Sequence, residues 1–164
     1  LQFYSKFWFD AVNNEKIVSL ISELIGPEVE LHHSTMHIKP PGTGHPFPMH
    51  QDWAFYPHTN QDVLAVGILL DDMTSENGPV LMVPGTHKGP LHNHHSDVAF
   101  CGAIDRQETK LDISTAQEVH AKAGSISIHH ARLVHGASMN RSNDQRRILF
   151  FEFTAADAWP LLGI

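Results

Sequence analysis

Pro48-Met49-His50-Gln51-Asp52-Trp53 is the stretch around which the chain is organised. In an extended strand successive side chains alternate between faces. His50 and Asp52 therefore project to one side and Gln51 to the other. An imidazole and a carboxylate so placed are two ligands for one metal ion. Two ligands rarely hold a catalytic metal, so a third has to come from elsewhere in the chain.

The flanking sequence reads as short strands. From Val29 the pattern has period two, with Val29, Leu31, His33, Thr35, His37 and Lys39 on one face, and it stops at Pro40-Pro41-Gly42. Val63 to Leu70 is a nearly continuous apolar run, as in a strand buried on both faces. A turn cluster containing Asn77-Gly78 leads to Val80–Val83 and then to the loop Pro84–Pro90. Residues 91–116 are irregular and histidine-rich. Strands return at Glu118–Ala121, Ser125–His129, Leu133–Ala137 and Arg147–Thr154. Short strands separated by turns predict an all-β sandwich or barrel. Ahead of them, residues 1–28 read as helical, with Asp10 or Asn14 as a cap and Gly26-Pro27 as the stop. That helix is expected to pack on the outside of a sheet.

Bulk properties narrow the function classes. At 164 residues the chain is expected to be one domain, and 41% hydrophobic with 18% charged residues fits a globular protein. A net charge of -7 argues against a nucleic-acid binder. No apolar run is long enough to span a membrane and the start does not resemble a signal peptide. With Cys101 as its single cysteine, the chain has no internal disulfide framework, and a cytoplasmic setting is expected. The sequence carries no signal for oligomeric state. Because it begins at Leu1, the chain is expected to be a fragment.

There are 14 histidines among which to seek the third ligand. His92, His94 and His95 lie in the irregular stretch, a poor platform for a rigid site. Of His129 and His130, adjacent at a strand end, at most one faces the interior. His135 lies in an apolar strand before Gly136, where a histidine is either a ligand or a core residue bonded to a backbone carbonyl. Together with His50 and Asp52 it matches a facial triad of two histidines and one carboxylate, which leaves metal positions open for a chelating co-substrate and O₂. A dicarboxylate co-substrate needs a planar, two-pronged cation. Arg146 and Arg147 are the candidates, and apolar residues on both faces of Ile148–Phe151 prevent periodicity from choosing between them.

Met49-His50-Gln51-Asp52, Leu70-Asp71-Asp72-Met73, Glu76-Asn77-Gly78-Pro79, Val83-Pro84-Gly85-Thr86-His87 and His135-Gly136 with Asn140 and Arg146 resemble, in order, the phytanoyl-CoA dioxygenase family. His37-Ile38-Lys39-Pro40-Pro41 and Tyr56-Pro57 are similar to its phytanoyl-CoA hydroxylase branch. The resemblance covers about residues 29–157. It implies a mainly β protein with a double-stranded β-helix (jelly-roll, cupin-like) core and an N-terminal helix. It also implies Fe(II) held by His50, Asp52 and His135, with 2-oxoglutarate and O₂ as co-substrates. By the same resemblance Arg146 pairs with the distal carboxylate of 2-oxoglutarate, and Thr35 and Ile68 line its pocket. A hydroxyl residue that often assists two positions after the last histidine is Ala137 here, with Ser138 beside it. Family members carry additional N- and C-terminal chain around the substrate pocket.

The implied reaction is hydroxylation of an aliphatic C–H bond in a small organic or acyl substrate, with release of succinate and CO₂. Asp52 favours hydroxylation over halogenation, since related halogenases leave the carboxylate position empty for chloride. Trp53 and Phe55 are candidate substrate-pocket residues. His87 is expected to be a turn residue near the barrel mouth. Two other classes stay open. A cupin-like metal-dependent isomerase or hydrolase would usually show H-x-H where His50-Gln51-Asp52 stands. A non-catalytic β-sandwich binding module with a structural metal would more often use cysteines.

Overall fold

The structure, a computed structural model, describes residues 3–42, 45–105 and 111–162. Of the irregular stretch 91–116, residues 106–110 lie outside the described residues.

The helical start divides into α1 (Lys6–Val12) and α2 (Glu15–Ile25). Consecutive asparagines cause the break. Asn13 ends α1, and the Asn14 side chain accepts the Lys16 N–H at 3.1 Å to cap α2. Of the two expected caps Asn14 serves, whereas Asp10 pairs with Lys6 inside α1. Gly26, at φ 109°, takes a conformation that side chains rarely adopt and ends α2.

The strands are β1 (Val29–Lys39), β2 (Phe47–His50), β3 (Val63–Leu69), β4 (Val80–Met82), β5 (His95–Ser96), β6 (Ala99–Phe100), β7 (Gln117–Glu118), β8 (Ile126–His130), β9 (His135–Ala137) and β10 (Arg146–Ala155). One four-stranded sheet runs β1-β10-β3-β8 and the other β2-β9-β4-β7, with β5 and β6 pairing apart. All pairings are antiparallel, and the chain order interleaves the two sheets. This is the expected double-stranded β-helix.

The first sheet is covered on both faces. Ile17, Ile21 and Ile25 of α2 pack on its outer face against Leu64, Val66, Leu149, Phe151 and Phe153. Between the sheets Ala65, Leu69, Met73, Val80, Ile148 and Phe150 form a second cluster. β10 is thus apolar on both sides, which is why its periodicity points neither arginine inward.

The single face expected for β1 is split. Its register with β10 shifts between Leu31 and His33. Val29 and Leu31 pack on the helix side, while His33, Thr35, His37 and Lys39 line the interior cavity. One extra residue in a strand exchanges its faces, and no residue type in Leu31-His32-His33 signals it.

Candidate metal centre

His50 ends β2 and pairs across the ladder with His135 of β9, their rings 4.1 Å apart between centroids. Asp52 is not on the strand: β2 stops at His50, and Asp52 opens a 3-10 turn, Asp52–Ala54. The predicted convergence survives because Gln51 keeps extended backbone angles, φ -125° and ψ 127°, so the alternation of faces continues one step past the ladder. Asp52 Oδ1 lies 3.4 Å from His50 Nε2 and 3.6 Å from His135 Nε2. One donor atom from each of the three residues falls within a 4.8 Å cluster.

Both imidazoles are oriented from behind. His50 Nδ1 sits 2.9 Å from the Pro48 carbonyl and His135 Nδ1 2.9 Å from the Leu133 carbonyl. A carbonyl accepts Nδ1–H, leaving Nε2 with its lone pair aimed at the shared point. Burial is the largest influence on His135 and lowers it to about 3, which keeps the ring neutral, the form that ligates. Burial by itself would raise Asp52, but His135, His129 and His50 together hold its carboxyl well below the usual range. Two imidazole nitrogens and a carboxylate on one side of a point suit a borderline divalent metal such as Fe(II).

Gln51, pointing away from the cluster, anchors it. Its amide donates to the carbonyls of Pro90 and Arg132, and its side-chain oxygen accepts the His92 N–H. The buried His94 accepts the Gln51 backbone N–H at 2.9 Å, so its role is to brace the strand behind the centre. Thr86 of the Pro84–His87 loop accepts the Val134 N–H at 2.9 Å and fixes the start of β9. His87 stays outside the cluster, its ring 5.8 Å from that of His130. Gly136 is required by close approach: a Cβ there would stand 2.7 Å from the Phe47 carbonyl oxygen.

The three donors open onto a cavity of about 720 Å³ lined by both sheets. Its cationic end is made where β1 and β10 pair through Lys39 and Arg146. Arg146 is 2% exposed, donates to the Gly78 carbonyl at 2.6 Å, and has no partner at Nε among the described residues. Desolvation lowers it to about 10. A guanidinium buried without a carboxylate calls for an anionic ligand. Lys39 Nζ donates to the carbonyls of His45 and Ser138, and desolvation lowers it to about 8. Arg147 lies on the other face, in a two-pronged pair with Asp71 at 2.7 and 2.9 Å. Asn77 and Asn140, from the quoted motifs, tie together the turns that carry Gly78 and Arg146, with Asn140 donating to the carbonyls of Lys39 and Asp144.

Thr35, Ala137 and Phe55 line the cavity. Two other expected residues do not. Ile68 lies on the opposite face of β3, packed toward α2 with Leu64 and Val66, because alternation puts even-numbered β3 residues outside. Trp53 turns away from the cavity within the 3-10 turn, its ring 6.3 Å from that of His58, and its backbone N–H donates to the Ala131 carbonyl.

The far end of the cavity is polar, and sequence reasoning missed it. His129 Nε2 stands 3.3 Å from Asp52 Oδ2. Tyr56 lies beside Asp52 and Glu152, and burial, then their negative charges, push its hydroxyl well above the usual range. Burial, then the nearby Asp52 charge, pushes the Glu152 carboxyl well above the ordinary range. A lone carboxylate within the apolar run Ile148–Phe153 was the available signal for Glu152. For His129 it was the alternation of β8.

A jelly roll carrying a two-histidine, one-carboxylate cluster at its open cavity, opposite a buried arginine, defines a cupin-type non-heme metal oxygenase architecture. The chain belongs to the phytanoyl-CoA dioxygenase family, whose pattern matches residues 3–148. It is 42% identical over 164 residues to a probable alpha-ketoglutarate-dependent hypophosphite dioxygenase of Stutzerimonas stutzeri, covering 95% of this chain and 57% of that protein. It is 26% identical over 153 residues to the peroxisomal phytanoyl-CoA dioxygenase of Homo sapiens, covering 87% and 44%. EvdO2 from Micromonospora carbonacea var. aurantiaca, solved in complex with 2-oxoglutarate, superposes with a TM-score of 0.73 at 26% identity, covering 91% and 62%. The chain spans about half the length of the curated relatives it matches.

Proposed function

We propose that the chain forms the metal and co-substrate site of an Fe(II)- and 2-oxoglutarate-dependent dioxygenase acting on a small molecule. The observation that carries this is the pairing of a convergent His50, Asp52 and His135 cluster with a buried, carboxylate-free Arg146 in one cavity. When bound, Fe(II) and 2-oxoglutarate supply O₂ reduction coupled to oxidative decarboxylation, passing one oxygen atom to the substrate and releasing succinate and CO₂.

The residues divide the remaining work. His50, Asp52 and His135 offer three donors on one side and leave the cavity side open. Arg146, with Lys39 beside it, holds the distal carboxylate, a charge-assisted contact in a desolvated place. Phe150 and Phe55 wall the cavity and keep water out.

Asp52 at a ligand position supports oxygen transfer to a hydrogen-bearing atom. An aliphatic C–H bond is the expectation from the resemblance. The Stutzerimonas stutzeri relative is named for hypophosphite, whose reactive bond is P–H. The polar end of the cavity favours such a compact substrate over an acyl chain.

The test is anaerobic absorption spectroscopy. Adding Fe(II) and 2-oxoglutarate to the protein should produce the visible charge-transfer band of a keto acid chelated to iron, and His50→Ala should abolish it. Identical featureless spectra for the two proteins would refute the proposal.

A further inference from the structure

Two phenyl rings pack on His50, and they have different neighbours behind them. Phe47 stands 4.9 Å from the His50 ring and 6.0 Å from that of His37, which shares the cavity face of β1 with Lys39. It therefore belongs with the cationic end of Lys39 and Arg146. Phe55 stands 5.8 Å from the His50 ring with the planes at 87°, and it also lines the cavity. Behind Phe55 lies the β5–β6 hairpin, which pairs with neither sheet.

Phe100 of β6 meets Phe55 edge to face, with centroids 5.1 Å apart and planes at 86°, a favoured aromatic geometry. The Phe55 ring also rests on the Gly102 backbone, so closely that a Cβ there would stand 2.9 Å from two of its carbons. Both rings stay exposed, so this packing adds little to the core and its effect falls on the cavity wall. The hairpin is in turn tied at its base to the strand that carries His50. Ile104 donates its N–H to the Met49 carbonyl at 2.8 Å and is buried with Val83 and Val134. Cys101 donates its N–H to the carbonyl of His94, the residue that accepts the Gln51 N–H. The contacts that leave the candidate donors through Phe55 thus return to them through the hairpin. A side chain free to swing would accommodate ligands of many sizes. One held from behind cannot retreat, so it sets the width of the space in front of it.

We propose that Phe55 is the specificity-determining wall of the primary-substrate space, and that Phe100 and Gly102 are the residues that position it. This rests on the oxygenase reading above. With the distal carboxylate of the co-substrate at Arg146, the part of the cavity beside Phe55 is left for the primary substrate. The buttressed ring admits a compact molecule such as hypophosphite. It turns away the same P–H head group once that carries a phenyl ring, as in phenylphosphinate. One added group in a pocket that cannot yield changes relative affinity about 10- to 200-fold.

The experiment titrates hypophosphite and phenylphosphinate into the Fe(II)- and 2-oxoglutarate-loaded protein without O₂. Binding is read as a shift of the charge-transfer band, which requires no turnover. In wild type the hypophosphite midpoint should lie at least about tenfold below that of phenylphosphinate. Phe55→Ala should lower the phenylphosphinate midpoint relative to that of hypophosphite at least about tenfold. Phe55→Leu, which keeps an aliphatic group against Gly102, should lower it less. Phe100→Ala should shift the same ratio about threefold and leave the 2-oxoglutarate midpoint within about twofold. Added to Phe55→Ala it should change nothing further, since it acts through that ring. Retention of the band shows that the variants are folded and loaded. A ratio unchanged in both Phe55 variants overturns the proposal, and so does a Phe100→Ala effect that persists in full without Phe55. An intact wild-type band that neither anion shifts overturns it and leaves the oxygenase reading standing. Absence of the band in wild type overturns both.

Discussion

Arg146 and Arg147 are adjacent and chemically identical, yet the strand gives them opposite fates. Arg146 is buried facing the cavity with a single backbone acceptor. Arg147 spends its charge on Asp71 at the surface. Hydrogen bonds to a charged group are worth about 1.5–3 kcal/mol, so Arg146→Ala should raise the apparent 2-oxoglutarate requirement roughly 10- to 150-fold. A surface ion pair is worth about 0–1 kcal/mol, and Arg147→Ala should shift that requirement less than about threefold. Titrating 2-oxoglutarate against the charge-transfer band measures both. Equal losses would place the wrong arginine at the co-substrate.

The element that sets the geometry of the candidate donors is the β2–β9 pair. It holds His50 against His135, and Gly136 lets the strands approach at that step. In Gly136→Ala the new methyl group must push back the Phe47 carbonyl, a backbone atom with no rotamer to escape into. Overpacking of this kind costs about 1–3 kcal/mol. The displacement moves β2 and with it His50, so Fe(II) affinity should fall at least tenfold while the sheet stays folded. Fe(II) titration beside a thermal melt would check both parts. Unchanged affinity would mean that β2 yields without carrying His50. The helix α2 illustrates a different dependence. Its apolar residues were visible by spacing, and it serves the site only by covering the outer face of β3 and β10.

Across the whole molecule, burial of histidines makes the fold sensitive to acid. Desolvation lowers His94 and His130 below the usual 6.5, and His135 to about 3. As pH drops through 6.5, the unfolded chain takes up these protons and the folded chain does not, so stability falls. For the buried His135 the slope approaches about 1.4 kcal/mol per pH unit. Asp52, held low when folded, adds to the trend below about pH 4, where its unfolded counterpart protonates. The melting temperature of the metal-free protein should therefore fall steadily from pH 6.5 to pH 4.5, as scanning calorimetry would show. A flat profile would mean that these imidazoles protonate within the fold. Among the described residues no helix is long and apolar enough to cross a membrane.

Local rules sufficed for the parts of this protein that are local. Alternation along Pro48–Trp53 brings His50 and Asp52 to one side, although the ladder ends between them. Turn residues and apolar runs delimit most strands, and the ordered motifs lead to the family. Position across the sheets was not local. Sequence spacing says nothing of which residues pair, so the row His33, Glu152, Ala65, His129 is invisible until β1, β10, β3 and β8 lie side by side. The bulge after Leu31 reverses the face of β1 without a marker in residue type. Ile68, expected from the resemblance, and Trp53, expected from its place after Asp52, both turn away from the cavity, because the face of a buried strand and the course of a tight turn are chosen by what packs against them. The three candidate donors were legible in the chain, and the shape and polarity of the cavity beside them came from tertiary packing.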